Sequence, residues 1–247
     1  MLTTSVSFAL RDNMPLDNIN AALFISKKVK EIEELYIPKQ NEFPSQEHKS
    51  YCLSVLYTVV GFLESSINDI YANAKDNFKD QMKGIEDKIT ILATYEKNKE
   101  NNELNHEVWE YSKTNIIRKY QFALHLLEKC AINSDDEKLV NLISLIYIRN
   151  SFTHHFATWR KCGSETQSEY DRLKNHFEEN PFYKDKGNPF FPDKLLGYGF
   201  LQWSINLSIR FVIDFYNKIG LQYFFLNRLE EKLDENGLSN SKEKEST

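Results

Sequence analysis

The chain is poor in the two residues that most often interrupt helices. Its 247 residues include eight glycines and six prolines, and no proline occurs between Pro44 and Pro181. A proline inside a helix removes a backbone hydrogen bond and clashes with the preceding turn, so a long proline-free stretch favours helices. Apolar residues at helical spacing run through the same stretch. We therefore predict an all-α protein.

Cysteine and positive charge are also in short supply. The three cysteines (Cys52, Cys130 and Cys162) form no CxxC pair, which favours a reduced, cytoplasmic protein with free thiols. No HxxxH or cysteine spacing completes a zinc set, so we expect neither a metal nor a cofactor. The net charge of −5 argues against a protein that coats nucleic acid through general positive charge. A nuclease remains possible, because a local cluster of cations is enough to engage one phosphate.

The sequence contains no evident leader and no evident membrane span. Residues 1–10 lack a charged n-region and a long apolar core. The most hydrophobic segment, residues 195–215, is interrupted by four polar residues: Gln202, Asn206, Arg210 and Asp214. We therefore expect no membrane partner.

The order of apolar and polar stretches predicts three regions. Residues 1–45 form an N-terminal arm and a helix, residues 46–233 form a helical domain, and residues 234–247 form a disordered tail. Helices are predicted over residues 17–36, 46–78, 85–95, 106–130, 137–162, 194–219 and 221–233. Asp17 and Asp193 are the predicted N-caps of the first helix and of the last long one. A polar segment before that long helix, residues 164–192, is an inserted surface helix and loop.

What the chain does contain is an unusual cluster of residues at the end of an apolar helix. Residues 139–148 are mostly apolar, and the segment Arg149–His155, with the sequence RNSFTHH, follows directly. Arginine can hold a phosphate and histidine can transfer a proton near neutral pH, so the cluster predicts phosphodiester chemistry. Arg149 shares a core-facing stripe with Leu142 and Leu145. An unpaired guanidinium there must meet a carboxylate, a second subunit or a ligand.

The side chains of Arg149 and His154 point in different directions on a straight helix. Five residues at 3.6 residues per turn separate them by about 140°, whereas Asn150 and His154 are one turn apart and share a face. Arg149 and His154 therefore converge only through a bend, through the length of the arginine side chain, or through a second copy of the motif in a dimer.

An upstream segment completes the pattern. Residues 62–70 read FLESSINDI, and Glu64 and Asn68 lie one turn apart beside the apolar stripe of a long helix. This segment, followed about eighty residues later by R-N-x-x-x-H, resembles the HEPN superfamily. Helical domains of that superfamily often act as metal-independent ribonucleases or RNA-binding modules in prokaryotic toxin–antitoxin and antiphage systems. The resemblance covers about residues 46–230.

The resemblance implies an up-and-down helical bundle and a set of site residues. Arg149 and His154 take the catalytic roles, and Asn150 supports them. His155 also fits the permitted spacing, but His154 is preferred because it shares a face with Asn150. Glu64 and Asn68 are supporting residues, and the resemblance implies no metal.

The resemblance also implies partners. RNA is the expected substrate, two copies of the chain form one cleft, and a separate antitoxin or activator restrains or triggers the activity. In some members a partner enzyme modifies a tyrosine two residues after the histidine, a position that Phe156 occupies here, so that mode of control is not supported.

Other interpretations of the same residues stay open. The chain could be a non-catalytic HEPN-like module that binds RNA or a protein. It could also be a helical scaffold in which Arg149 forms a buried ion pair, with Glu64 as a candidate partner. The aromatic residues of the 182–191 loop could stack unpaired bases, but plugging the edge of a helical core is the more common role of such a loop.

Overall fold

The computed structural model of the protein describes residues 12–39, 44–100, 116–154, 170–222 and 224–237. Within these residues the regular structure is helical and contains no strand. The helices are α1 (Met14–Tyr36), α2 (Ser45–Lys75), α3 (Ile89–Glu100), α4 (Ile116–Leu126), α5 (Glu137–Thr153), α6 (Tyr198–Ile219) and α7 (Phe224–Glu235). The prediction of an all-α protein is confirmed. The expectations for residues 1–11, 101–115, 155–169 and 238–247 lie outside the described residues.

The long helix α2 lies at the centre of the fold, and α1 packs antiparallel along it. Near the start of α1, Asn18 Nδ2 donates to Ser65 Oγ at 3.3 Å. Near its end, His48 Nε2 lies 2.9 Å from Glu33 Oε1. The approach is close because Gly61 has no side chain: a Cβ there would lie 3.3 Å from Asn18 Nδ2. The two helices bury their apolar stripes against each other, which is the main stabilising contribution available to helices in water.

Two buried tyrosines tie α4 and α6 to α2. The Tyr120 hydroxyl donates to the Leu63 carbonyl oxygen at 2.7 Å, and the Tyr216 hydroxyl donates to the Ser66 carbonyl oxygen at 3.1 Å. The rings of Tyr120 and Phe215 meet edge to face, with centroids 4.7 Å apart. Each phenol therefore adds apolar area to the core while its one polar group is satisfied.

Helices α5 and α6 pack side by side in opposite directions. At the start of α5, Lys138 Nζ lies 2.7 Å from Asp214 Oδ2 near the end of α6. At the end of α5, the Phe152 ring lies 5.0 Å from the Phe191 ring, which precedes α6. The C-terminal end of α5 is consequently held beside the segment that leads into α6.

Several predicted helix boundaries are wrong. The N-cap of α1 is Asn13, whose Oδ1 accepts from Leu16 N at 3.2 Å, and Asp17 lies in the first turn instead. Asp193 does not cap α6: its Oδ2 accepts from Asn188 Nδ2 at 2.8 Å, and α6 begins after Gly197. At α1 the nearby Asn13 side chain takes the capping position, whereas the N-cap of α6 is Gly197, without a side-chain cap hydrogen bond.

Other boundaries differ because short turns replace helix. A 3₁₀ turn at Glu86–Lys88 delays α3 to Ile89. Helix α5 ends at Thr153, well before residue 162. Of the polar segment predicted as a surface helix, the described part from residue 170 holds one 3₁₀ turn, Asp171–Leu173. Helix α7 continues to Glu235, within the region predicted as a tail.

Candidate functional site

The Arg149 motif occupies the last turn of α5. Asp136 caps the start of the helix, where its Oδ1 accepts from Leu139 N at 3.0 Å. Four apolar residues on its inner side are buried: Leu142, Leu145, Ile146 and Ile148. The helix ends at Thr153, and His154 N still donates to the Asn150 carbonyl oxygen at 2.8 Å. The packed apolar run therefore fixes the end of the helix from which the motif side chains project.

Arg149 is half-buried and has no acid partner in the described part of the chain. Its Nε atom is buried, and no group among the described residues accepts a hydrogen bond from it. No described carboxylate forms an ion pair with its guanidinium. Burying a charged donor without an acceptor is unfavourable, so such a group in a folded protein calls for an explanation. An anion that binds during function is one such explanation.

His154 is exposed, and Asn150 is half-buried one turn before it on the same side of α5. Among the described residues, no carboxylate or carbonyl group orients the His154 imidazole. In the ideal helix geometry that continues to Thr153, positions 149 and 154 lie about 140° apart, and His154 is itself the C-cap, with φ −109° and ψ 33°. The alternative histidine, His155, lies outside the described residues.

The structure places Glu64 and Asn68 in a separate polar group. Lys119 on α4 extends between them, with its Nζ 3.3 Å from Glu64 Oε1 and 3.0 Å from Asn68 Oδ1. The Lys119 side chain is 16% exposed and that of Glu64 is 46% exposed. No hydrogen bond or ion pair among the described residues connects this group to Arg149 or His154. Glu64 is therefore not the partner of Arg149.

Sequence reasoning missed the segment that covers one side of α5. The Tyr170 hydroxyl and Ser151 Oγ share a hydrogen bond of 2.7 Å. Two residues after Tyr170, Arg172 Nη2 donates to Ser144 Oγ. Ser144 and Ser151 are two turns apart and share a face, which was the only sequence signal for a polar contact along this helix.

Three of the four aromatic residues of the 182–191 loop pack inward, and the fourth, Tyr183, is half-buried. Phe182, Phe190 and Phe191 are all buried. The Phe191 ring stacks on Tyr170 with centroids 4.4 Å apart. The burial of these three rings agrees with the interpretation of this loop as a plug at the edge of the core.

A second group of reactive residue types lies at the other end of α2. His48 Nδ1 lies 3.9 Å from Cys52 Sγ, and His48 Nε2 contacts Glu33, so a thiol, an imidazole and a carboxylate are in line. Burial, and to a lesser degree the charge of Glu33, raises the pKa of the Cys52 thiol. A fully buried thiol that stays protonated cannot act as a nucleophile.

A polar cavity of about 230 Å³ opens beside His48. Tyr183, Lys49 and Asp193 line it together with the first turn of α2. Glu33 Oε1 also accepts from Tyr198 N at 2.8 Å, so the buried pair joins α1, α2 and α6. We interpret the His48–Glu33 pair as a structural connection between helix ends.

Within the described part of the chain, no three His, Cys, Asp or Glu side chains are grouped in a way that could hold a metal ion. Helix α2 is long and apolar enough to cross a membrane by length and composition, with a mean hydropathy of 1.3 over its best stretch. Half of that stretch is buried inside the fold.

Comparison with known proteins adds no relative. No family model, no curated protein and no solved structure matches this chain.

Proposed function

We propose that the chain is a metal-independent endoribonuclease of HEPN type in which Arg149 and His154 form the catalytic pair. One observation carries the proposal: Arg149 is half-buried and pairs with no described carboxylate, five residues before an exposed histidine. A guanidinium matches the geometry and charge of a phosphodiester, which would supply the missing acceptor. The paired Glu64 and Lys119 weigh against a scaffold in which Glu64 and Arg149 lock the core.

In the proposed reaction His154 acts as the general base. Its imidazole removes the proton from a ribose 2′-hydroxyl, and the 2′-oxygen forms a bond to the adjacent phosphorus. The bond from phosphorus to the 5′-oxygen breaks, and that oxygen takes a proton from water as it leaves. Arg149 binds the non-bridging oxygens, where negative charge increases in the transition state. The products carry a 2′,3′-cyclic phosphate and a 5′-hydroxyl.

The proposed site forms between two copies of the chain. Because Arg149 and His154 project about 140° apart on α5, one copy of the motif does not direct both side chains to one phosphate. A second α5 packed near the first would place an arginine and a histidine on opposite sides of one cleft. This arrangement matches the homodimer that the resemblance implies.

The biological setting that fits this activity is a cytoplasmic toxin or antiphage effector. Uncontrolled RNA cleavage harms the cell that makes the enzyme, so a separate antitoxin or activator is part of the proposal. The overall charge of −5 suits an enzyme that engages RNA at a local cationic site.

A second candidate is a HEPN-like module that binds RNA or a protein without cutting. It is favoured by the free His154 imidazole, which no described group orients. Catalytic histidines commonly have a hydrogen-bonded partner that fixes the ring. In this case Arg149 would bind a phosphate or another anion and His154 would contribute little.

The test is RNA cleavage by the purified full chain in the presence of EDTA. The variants are Arg149→Ala and His154→Ala, with Arg228→Ala and His176→Ala as matched controls on exposed residues elsewhere. We expect cleavage with cyclic-phosphate ends, a loss of about 100-fold or more in either motif variant, and wild-type rates in both controls. Equal rates in all five proteins would contradict the assignment, and RNA binding without cleavage would favour the module.

A further inference from the structure

An exposed aromatic ring lies on the same face of α5 as His154. Tyr147 is 48% exposed, and it precedes His154 by seven residues, which is two helical turns. The distance along the helix axis between the two residues is about 10 Å at 1.5 Å per residue. Ser151 lies between them and is half-buried. The face therefore presents a ring, then polar groups, then the imidazole.

The Tyr147 ring is held in place from one side. Its centroid lies 6.0 Å from that of Tyr170, with 33° between the ring planes. Tyr170 is itself fixed by the Phe191 ring at 4.4 Å and by the hydrogen bond of its hydroxyl to Ser151 Oγ. A ring supported in this way loses little conformational freedom when a second planar group stacks on its open side.

A second arginine, which pairs with none of the described carboxylates, lies against the same helix. Arg172 is exposed, and its Nη2 donates to the neutral Ser144 hydroxyl. No described carboxylate pairs with it. Ser144 lies one turn before Tyr147, so the order along α5 is a cation, an aromatic ring and a histidine. In a chain with 36 acidic and 31 basic residues, a face whose arginine meets no described carboxylate points to an anionic ligand.

The order of a cation, an aromatic ring and a histidine along α5 suits a single-stranded nucleic acid, which offers both phosphates and unpaired bases. Unpaired bases stack on exposed aromatic side chains, and arginines contact the phosphates between them. A base within a duplex is already stacked on both sides, so it cannot lie on a single exposed ring. The Tyr147 ring lies between Arg172 and His154. In RNA, each nucleoside likewise lies between two successive phosphates.

We propose that this face of α5 binds single-stranded RNA, with an unpaired base stacked on Tyr147 and a backbone phosphate on Arg172. The proposal rests on the ribonuclease function proposed above and specifies its substrate class. The phosphate to be cut lies at His154, and the stacked base belongs to a neighbouring nucleotide. Stacking accepts any base, so the face selects unpaired RNA with little preference for sequence.

The test measures binding and cleavage separately. Binding of a labelled single-stranded RNA and of the matching duplex is followed by fluorescence anisotropy in the His154→Ala chain, which does not cut under the proposed mechanism. Tyr147→Ala, Tyr147→Phe and Arg172→Ala are added to that background. Tyr57→Ala, which removes a similarly exposed tyrosine on α2, is the matched control.

We expect Tyr147→Ala to weaken single-strand binding about 5- to 150-fold, the range that removal of one stacking ring produces. Tyr147→Phe and Tyr57→Ala keep the affinity, and the duplex binds weakly to all variants. Arg172→Ala weakens binding and lowers the slope of log affinity against log salt by about 0.7, as expected for one lost phosphate contact on a single strand.

Three results would overturn the proposal. These are equal affinity in Tyr147→Ala and Tyr57→Ala, preference for duplex RNA, or a shift from dimer to monomer in Tyr147→Ala, which would make the ring part of a contact between copies. Melting temperatures confirm that each variant is folded. If cleavage depends on Arg149 and His154 but RNA binding is the same with and without the Tyr147 ring, only the single-strand binding face is refuted. If RNA binding depends on Tyr147 but the wild-type chain does not cleave RNA, only the proposed ribonuclease function is refuted.

Discussion

The Glu64 carboxylate pairs with Lys119, 3.3 Å away on α4, and not with Arg149. The sequence pattern assigns Glu64 and Arg149 to one site, but this pairing puts Glu64 in a separate polar group. It leaves the Arg149 guanidinium without an acid partner among the described residues. An arginine that serves only to lock helix packing would be paired, because the lone charge destabilises the fold. The lack of a described acid partner makes Arg149 a candidate functional residue. Its contribution to stability can be measured by replacing it.

Replacing Arg149 by methionine should not destabilise the protein. Methionine keeps the apolar stem of the side chain and removes the charged donor that lacks an acceptor. We expect the free energy of unfolding in urea to be unchanged or to rise by about 1 kcal/mol, while RNA cleavage is lost. Arg228→Met, at an exposed pair with Glu231, is the control. A drop of several kcal/mol in Arg149→Met would mean that the guanidinium holds the fold together.

The Lys119–Glu64 pair should contribute little to stability. Glu64 is 46% exposed, so solvent and salt screen the attraction, and a coupling energy below about 1 kcal/mol is expected. A double-mutant cycle with Lys119→Met and Glu64→Gln measures it. We expect both single variants to keep most of their cleavage activity. A strong loss of cleavage in Glu64→Gln, with the fold intact, would place Glu64 in the site after all.

Gly84 should be among the least replaceable positions of the described chain. Its φ of +94° is unfavourable for other residues, and a Cβ would overlap the carbonyl oxygen of Gly220. The two segments are joined by a hydrogen bond from Gln222 N to the Lys83 carbonyl oxygen at 2.7 Å. We expect Gly84→Ala to lower the free energy of unfolding by at least about 2 kcal/mol.

Gly237 is the matched control for this substitution. Its φ is also positive, at +64°, but a Cβ there would meet no atom within 4 Å. Gly237→Ala should therefore lose only about 1 kcal/mol, the conformational part of the effect. Equal losses at the two positions would show that the approach of Gly84 to Gly220 is not tight in solution.

Stability should fall in alkaline solution. Burial raises the pKa of the Cys52 thiol and of the Tyr120 phenol, whereas in the unfolded chain such groups ionise near pH 8.5 and pH 10, at about their usual values. Both groups therefore favour the folded state fully below about pH 8.5, and this contribution is lost as the pH rises. Each group lowers the free energy of unfolding by about 1.4 kcal/mol for each pH unit above its unfolded pKa.

Urea unfolding at a series of pH values from neutral upward measures this loss. Cys52→Ala lowers stability at every pH because it leaves a small cavity, but it removes the thiol that must stay protonated. The decline between about pH 8.5 and pH 10 should therefore be shallower in Cys52→Ala than in the wild type. Parallel curves for the two proteins would show that Cys52 is accessible to solvent in the native state.

The sequence by itself determined that the protein is helical and that the motif directly follows the apolar run of α5, but not that this helix ends at Thr153. Helical periodicity and the absence of proline are local properties, and the core stripe of α2, from Leu56 to Ile70, is buried as its spacing predicts. On α5, the half-burial of Arg149 and the exposure of His154 also agree with their positions around the helix.

Only the tertiary structure decided which polar groups meet. Lys119 reaches Glu64 across 55 residues of chain, and Arg172 reaches Ser144 across 28. No local pattern encodes such pairs, because they depend on how separate helices pack. Asn13, which caps α1 in place of Asp17, is by contrast a local contact, because it accepts from Leu16 N three residues further on. Periodicity determines which side of a helix faces inward, but the partner of each buried or bridging charge is set by the neighbouring helices that packing brings to it.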